Sequence, residues 1–151
     1  MRQSVSDVFI EFTELFEGGV PYLYADVLGL VTIAYGNLVD PMRAAMALPL
    51  AKTDGSQASQ SEIAAEWQRV KNDPACATRG HLYARSITAL RMAPEAMRGL
   101  ALTKADSNDR TLRGLYDAWD DWPACAQLAL HSWAWACGTG AWFPRMSARL
   151  R

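Results

Sequence analysis

The sequence predicts an α+β fold that is mainly α-helical. Apolar residues recur at helical spacing through most of the chain, whereas residues 22–37 alternate in the manner of β-strands. The chain has 151 residues and a hydrophobic fraction of 50%, which is enough for one domain with a well-filled core. We therefore expect a single domain over residues 1–151, with a β-hairpin near the N-terminus and helices elsewhere.

The first two predicted elements have clear local signals. Residues 5–17 are predicted to form a helix, because Ser4 or Ser6 can cap it and Gly18 can end it. Residues 22–37 alternate between aromatic or β-branched residues and smaller or polar ones, which predicts a hairpin. The apolar residues at helical spacing in the first helix are Val8, Phe9, Phe12, Leu15 and Phe16.

The rest of the chain is predicted to form helices separated by proline and glycine. Asp40 and Pro41 fit the cap and the first position of a short helix that ends near Leu48. Ser59 and Glu62 have the spacing of a capping box, which opens a helix that ends near residue 72. Further helices are predicted around residues 83–90, from Pro94, around 112–119, over 123–137 and from Pro144 to Arg151.

Composition and charge exclude several classes of function. The net charge is −1 and the basic residues are scattered, so we expect no nucleic-acid partner. No apolar run is long enough to span a membrane, and residues 1–9 lack a signal-peptide pattern, so we expect synthesis in the cytoplasm without membrane insertion. Three cysteines without paired spacing predict buried, reduced thiols and no metal site.

Two acidic residues and a threonine lie close together in the segment that leads through the predicted hairpin. The helix dipole and the apolar residues before Glu17 both disfavour its ionised carboxylate, so we expect Glu17 to be protonated. Asp26 lies in a polar turn and should be ionised, and Thr32 on the return strand could hold a water molecule between the acids. Such a pair can supply the acid and the base for glycoside hydrolysis. Glutamates at helix ends and aspartates in turns are also ordinary structural residues.

Two runs of the sequence resemble one known family. The run FEGGVPYLYADVLGLVTIAYGNL, residues 16–38, resembles the active-site stretch of phage-type lysozymes (endolysins), which are muramidases. In that family a helix ends in Glu-Gly, a tyrosine precedes an aspartate by two residues, and a Thr-Ile-Gly-x-Gly strand follows. The run AQLALHSWAWACGTGAW, residues 126–142, is similar to the late helix of the same family.

The resemblance implies a fold, an activity and three residue roles. The fold would be lysozyme-like, with a small N-terminal lobe over about residues 1–58 and a larger helical lobe over about 59–151. The activity would be hydrolysis of the β-1,4 bond between N-acetylmuramic acid and N-acetylglucosamine in peptidoglycan, with no cofactor or metal ion. Glu17 would be the general acid, Asp26 the second carboxylate, and Thr32 the residue that positions water.

Several residues extend or depart from the family pattern. Ala34 replaces the first glycine of the family strand, Asn37 replaces the usual histidine, and Ala136 replaces the usual asparagine of the late helix. By analogy with the family, Asn37 and Leu38 would bind substrate near the general acid, although Asn37 is equally suited to hydrogen bonding in a turn. Trp142 is a candidate for stacking on a sugar ring.

Aromatic residues of the late helix are expected in the core. Trp133 and Trp135 lie in the most apolar predicted helix, which favours packing over sugar binding. His131, on the same helix, is predicted to be a hydrogen-bonded and partly buried residue that takes no part in catalysis.

The expected partners follow from the resemblance. A monomer would bind peptidoglycan glycan strands in the periplasm. A phage endolysin would reach them through a holin, whereas a type VI secretion effector would be injected and countered by a cognate immunity protein. The late tryptophan-rich segment and the GNLVDP turn look slightly more like such effectors. The alternatives are a non-catalytic module of the same fold that binds peptidoglycan or a partner protein, and a plain helical scaffold.

Overall fold

The computed structural model describes residues 1–139 of the chain. This range is mainly helical and contains small antiparallel sheets, which confirms the α+β prediction. The helices are α1 (Gln3–Glu17), α2 (Met42–Met46), α3 (Gln60–Asn72), α4 (Pro74–Arg79), α5 (His81–Ile87), α6 (Pro94–Leu115) and α7 (Ala124–Cys137). The strands are β1 (Val20–Ala25), β2 (Val31–Ala34), β3 (Asn37–Leu38), β4 (Leu50–Ala51) and β5 (Arg91–Met92), and a 3-10 turn covers Trp119–Asp121. The helix predicted from Pro144 lies outside the described residues.

Residue contacts divide the chain into two compact units. The hairpin unit is Glu17–Leu100, and the helical unit combines Met1–Phe16 with the chain from Ala101 onward. The lobe division near residue 58 is a different partition and stays a prediction. All three candidate catalytic residues belong to the hairpin unit.

The predicted hairpin is present as β1 and β2, and β3 adds a third strand to the same antiparallel sheet. Tyr24 lies opposite Thr32, with a register irregularity between Val20 and Tyr24. Thr32 in turn lies opposite Leu38 in β3. Directly opposite residues of antiparallel strands share a face, so Tyr24, Thr32 and Leu38 lie on one face of this sheet.

Helix α1 begins earlier than predicted and buries a different face. It starts at Gln3, so Ser4 and Ser6 lie inside the helix and are not its N-cap. Phe9 packs its ring edge-on against the rings of His131 and Trp135, and this contact in the helical unit selects the buried face. The buried residues of α1 are Val5, Phe9, Ile10 and Thr13. Among the apolar residues that predicted this helix, Phe12 is partly buried, whereas Val8, Leu15 and Phe16 are exposed.

Two predicted helix starts have different outcomes. Ser59 and Glu62 form the predicted capping box, in which each side chain accepts a hydrogen bond from the other residue's backbone N–H. The cap of α2 is Pro41, and no side chain caps that helix. Asp40 was predicted to cap α2, but its carboxylate lies 3.0 Å from Lys71 Nζ and forms an ion pair with α3 instead.

Residues 75–93 contain more structure than the sequence predicts. Two short helices, α4 and α5, replace the single helix predicted around 83–90. Strand β5 pairs with β4, through Leu50 opposite Met92 and Ala51 opposite Arg91. Strands this short have no period of their own, and their pairing joins segments that are far apart in the sequence.

The helical unit packs α6 and α7 around an aromatic core. Helix α6 is continuous where the sequence predicts two separate helical stretches. Helix α7 ends at Cys137 with Gly138 as its C-cap, which confirms the predicted glycine stop. Buried residues from the end of α6 to α7 form the core cluster, with Leu115, Trp122 and Trp133 packed against its edge. The buried members are Leu112, Tyr116, Trp119, Leu130 and Ala134.

Two glycines should respond to alanine in opposite directions. Gly18 has a φ of +66 and a Cβ there would meet no atom within 4 Å, so Gly18→Ala should cost about 1–2 kcal/mol through backbone strain alone. Gly99 lies inside α6 with equally open space, and Gly99→Ala should stabilise the chain by about 0.5–1 kcal/mol. Urea unfolding measures both variants. A stabilising Gly18→Ala would contradict the left-handed backbone at the end of α1.

Candidate functional site

Glu17 is the last residue of α1 and is exposed. Gly18 follows it in a left-handed conformation and turns the chain towards β1. The two apolar residues before Glu17 are also exposed, Leu15 by 80% and Phe16 by 70%. The apolar surroundings that the sequence predicts for Glu17 therefore do not enclose its carboxyl group.

Asp26 follows β1 and holds the turn of the hairpin. Its Oδ1 accepts hydrogen bonds from the backbone N–H of Leu28 and of Leu30, both at 2.9 Å. Within residues 1–139, both hydrogen bonds to this carboxylate fall on Oδ1. Val27 and Leu28, at the tip of the turn, are exposed by 88% and 78%. Asp26 thus has a clear structural role, and its Oδ2 is available for another one.

Thr32 lies on β2 and is buried, with 5% of its surface exposed. It is directly opposite Tyr24, which makes it the diagonal neighbour of Asp26 on the same face of the sheet. Its hydroxyl donates a hydrogen bond to Leu30 O at 3.0 Å. The hydroxyl proton is therefore used by the backbone, and only the oxygen lone pairs remain to accept a hydrogen bond from water or substrate.

Tyr24 connects the two candidate acids. Its phenol is half-buried, and its pKa is raised to about 12. Burial is the largest cause, and the negative charges of Glu17 and Asp26 add to it. The charges of both carboxylates therefore act on one hydroxyl group. A phenol with this pKa stays protonated at neutral pH and can donate a hydrogen bond without adding a third negative charge.

In the sequence Tyr24 is recognised only as part of a motif, and no role is predicted for it. Its spacing of two residues from Asp26 is the signal that could have found it, because alternate residues of a strand share a face.

The predicted substrate-binding residues do not all reach this face. Leu38 lies opposite Thr32 and is 53% exposed, so it borders the same face as Asp26. Asn37 lies opposite Ile33 and is only 4% exposed, and its Oδ1 has no hydrogen-bond partner within residues 1–139. Trp142 lies outside the described residues.

His81 is a neighbour of this site that sequence reasoning missed. Its Nδ1 lies 3.2 Å from the hydroxyl of Tyr22. Its ring packs edge-on against Tyr24, with the ring centroids 6.2 Å apart. His81 is the first residue of α5, far from β1 in the sequence, and no local pattern marks this contact.

His131 and the late tryptophans belong to the core of the helical unit. His131 is fully buried, and its Nε2 lies 3.2 Å from Oδ1 of Asp109, which confirms the predicted hydrogen-bonded histidine. Burial lowers its pKa, against the opposing effect of Asp109. Trp135 is 5% exposed and Trp133 is partly buried, in agreement with the predicted core packing.

Replacing Asp26 with asparagine should lower the pKa of Tyr24 from about 12. The amide oxygen can still accept the hydrogen bonds from Leu28 and Leu30, so the turn should persist while the charge is lost. An NMR titration of the Tyr24 ring at alkaline pH measures the change. Asp54, whose Oδ1 holds a different turn, gives the control variant Asp54→Asn, which should leave Tyr24 unchanged. An unaltered Tyr24 pKa in Asp26→Asn would contradict the proximity of the two groups.

The described residues show neither a metal cluster nor a membrane span. No group of three or more His, Cys, Asp or Glu side chains in residues 1–139 is placed to hold a metal ion. No helix in this range is both long and apolar enough to cross a membrane. Cys76 is buried as predicted, whereas Cys125 and Cys137, near the two ends of α7, are exposed, so the prediction of buried thiols is wrong for them.

Comparisons with protein-family models, with curated proteins and with solved structures find no match to this chain. The likeness to phage-type lysozymes therefore rests on the sequence motifs alone. The geometry around Tyr24 is independent of that likeness.

Proposed function

We propose that the protein is a muramidase that hydrolyses the β-1,4 bond between N-acetylmuramic acid and N-acetylglucosamine in peptidoglycan. The arrangement of the hairpin carries the proposal: Glu17 ends α1, and Asp26 follows β1 on the sheet face that carries Thr32. The charges of both carboxylates also contribute to the raised pKa of Tyr24, after the larger effect of burial. Glycoside hydrolysis needs two carboxyl groups beside one bond, and this pair supplies them from separate elements of the hairpin unit.

The proposed reaction assigns one proton transfer to each acid. Glu17 donates its proton to the glycosidic oxygen as the bond to the anomeric carbon breaks. Asp26 takes a proton from a water molecule, whose oxygen forms the new bond to that carbon from the opposite face. Water thus adds across the broken bond, and the anomeric configuration is inverted. The lone pairs of Thr32 accept a hydrogen bond from this water.

The exposure of Glu17 bears on the acid role. A general acid must be protonated when it acts, and an exposed carboxyl group has no apolar cover of its own. A bound glycan would cover Glu17 and exclude water from it. The neutral phenol of Tyr24 adds no further negative charge to the site.

The predicted substrate, location and delivery route are also part of this proposal. The substrate would be peptidoglycan glycan strands in the periplasm, bound by a monomer. Delivery through a phage holin and injection as a type VI effector with a cognate immunity protein remain the two routes. Purification together with the product of the neighbouring gene distinguishes them, because an immunity protein would bind the chain and a holin would not.

A non-catalytic peptidoglycan-binding module is the second candidate. Asp26 Oδ1 holds the turn, and the Thr32 hydroxyl proton is bonded to the backbone, so both residues have structural roles without catalysis. A module of this kind would keep Asp26 and Thr32 for its hairpin and would bind glycan without cleaving it.

Digestion of purified sacculi distinguishes the two candidates. The wild-type chain is incubated with sacculi, the soluble products are reduced with borohydride, and mass spectrometry identifies the reduced sugar. Products that end in reduced N-acetylmuramic acid support a muramidase, and NMR of the first anomer formed tests inversion. Chain that sediments with sacculi and releases nothing supports the binding module. If the chain neither releases products nor sediments with sacculi, both functions are contradicted.

A further inference from the structure

His81 is exposed, yet its ring is held in place on one side. Tyr22 is only 5% exposed, and its hydroxyl lies 3.2 Å from Nδ1 of His81. The ring of His81 also packs edge-on against Tyr24, with an angle of 69° between the ring planes. An exposed histidine with two such contacts has a fixed orientation at the surface of the hairpin unit.

The environment of Tyr22 determines which nitrogen of His81 carries the proton. The hydroxyl hydrogen of a buried tyrosine needs an acceptor, and Nδ1 of His81 is the partner that the Tyr22 hydroxyl has within residues 1–139. When Tyr22 donates, Nδ1 is the acceptor and Nε2 is the nitrogen that carries a hydrogen. Within residues 1–139 Nε2 makes no hydrogen bond, so over this range its N–H is a donor without a partner.

The second contact of His81 connects this donor to the carboxylates. The ring of Tyr24 packs against His81, and the charges of Glu17 and Asp26 act on the hydroxyl of the same tyrosine. Tyr24 is also opposite Thr32 and on the face that carries Asp26. His81 therefore extends the same site beyond Tyr24.

We propose that His81 binds the glycan directly, with Nε2–H as a hydrogen-bond donor to a sugar hydroxyl or N-acetyl oxygen. The ligand class, an N-acetylated amino-sugar chain, rests on the proposed function. Sugar oxygens are good acceptors for a neutral N–H, and the fixed ring presents its donor without loss of side-chain freedom. Tyr22 is then a positioning residue that acts through His81.

Asparagine and glutamine at position 81 distinguish a role of His81 in glycan binding from a purely structural contact with Tyr22. The asparagine amide lies where Nδ1 lies, so His81→Asn can keep the contact with Tyr22 but loses the outer donor. The glutamine amide reaches the place of Nε2, so His81→Gln can keep the outer donor but loses the contact with Tyr22. A role in glycan binding predicts that His81→Asn binds glycan more weakly. A purely structural role predicts that His81→Gln is the more damaging change.

Binding is measured in the Glu17→Gln chain, so that the ligand is not cleaved. The probe is an uncross-linked tetrasaccharide of alternating N-acetylglucosamine and N-acetylmuramic acid, titrated by calorimetry. We expect His81→Asn to raise the Kd about 2- to 10-fold, the range that one neutral hydrogen bond gives, and His81→Gln to raise it less. Thermal unfolding should rank the variants the other way, with His81→Gln the less stable.

A control variant completes the test. Ser86→Ala removes an exposed hydroxyl elsewhere on α5 and should leave the Kd unchanged. An unchanged Kd in His81→Asn, or no binding of the tetrasaccharide by the parent Glu17→Gln chain, would overturn the inference. The proposed hydrolysis is decided separately, because the digestion of sacculi by the wild-type chain does not depend on these variants.

Discussion

The Glu17→Gln variant is expected to hydrolyse peptidoglycan more slowly than the wild-type chain by a factor on the order of 10²–10⁴. Glutamine has the size of glutamate but no proton that it can transfer to the leaving oxygen. The loss should fall on kcat, because the proton is transferred in the transition state, while substrate binding changes little. Glu17 is exposed, so the free energy of unfolding should change by no more than about 0.5 kcal/mol. Release of reducing ends from purified peptidoglycan measures the rate.

Glu14→Gln is the matched control for this experiment. Glu14 is an exposed glutamate in the same helix, and its replacement removes the same charge. The control should hydrolyse peptidoglycan at the wild-type rate. Equal hydrolysis rates for the wild type and Glu17→Gln would contradict the role of Glu17 as general acid. Slow hydrolysis by Glu14→Gln would show that the charge of α1 matters more than the position of the carboxyl group.

The sequence located the candidate acids because the signals around them are local. A glycine after Glu17 marks the helix end, and alternation marks the strands on both sides of Asp26. The surroundings of Glu17 were not accessible in this way, since burial depends on which face of α1 packs. Leu15 and Phe16 continue the helical spacing of Phe9 in the sequence, but the structure buries Phe9 and leaves both of them exposed.

The contacts of Tyr24 show where local reasoning ends. Its place beside Asp26 follows from strand spacing, whereas its contact with His81 joins β1 to α5. The pairing of β4 with β5 and the ion pair between Asp40 and Lys71 are of the same kind. Each is made by segments distant in sequence, and periodicity, caps and turns hold no information about such partners.

Four groups converge on the carboxylate of Asp109, which is only 3% exposed. Its Oδ2 accepts hydrogen bonds from the Met1 ammonium group at 2.7 Å and from Arg113 at 3.0 Å. Its Oδ1 accepts one from Trp119 Nε1 at 3.0 Å and lies 3.2 Å from Nε2 of His131. A buried carboxylate with this many partners joins the N-terminus, α6, α7 and the 3-10 turn between these two helices, all within the helical unit.

The pH dependence of the helical unit follows from the same groups. Burial alone would raise the pKa of Asp109, but hydrogen bonds from the Met1 ammonium, Trp119 and Arg113 outweigh it and hold the pKa well below its usual range. A lowered carboxyl pKa stabilises the fold above the unfolded value of 3.8, and this stabilisation is lost as the pH falls below it. Burial lowers the pKa of His131, so its contribution decreases as the pH falls below the unfolded value of 6.5. Both effects destabilise the helical unit in acid.

Replacing Asp109 with asparagine should therefore cost about 3–5 kcal/mol at neutral pH. The amide oxygen can still accept from Trp119, but the amide nitrogen would face the Met1 ammonium and Arg113, so donors would meet donors. Urea unfolding followed by tryptophan fluorescence measures the loss. Asp106→Asn, at an exposed position of the same helix, should change stability by no more than about 0.5 kcal/mol.

The acid side of the stability curve provides the sharper test of Asp109. Asparagine does not titrate, so the stability of Asp109→Asn should fall less steeply than that of the wild type as the pH drops through the range below 3.8. The decrease that begins near 6.5 should be retained, because it belongs to His131. Parallel curves for the two proteins below pH 3.8 would mean that Asp109 is not held ionised by its neighbours. In that case the buried network is not what ties the N-terminus to α6.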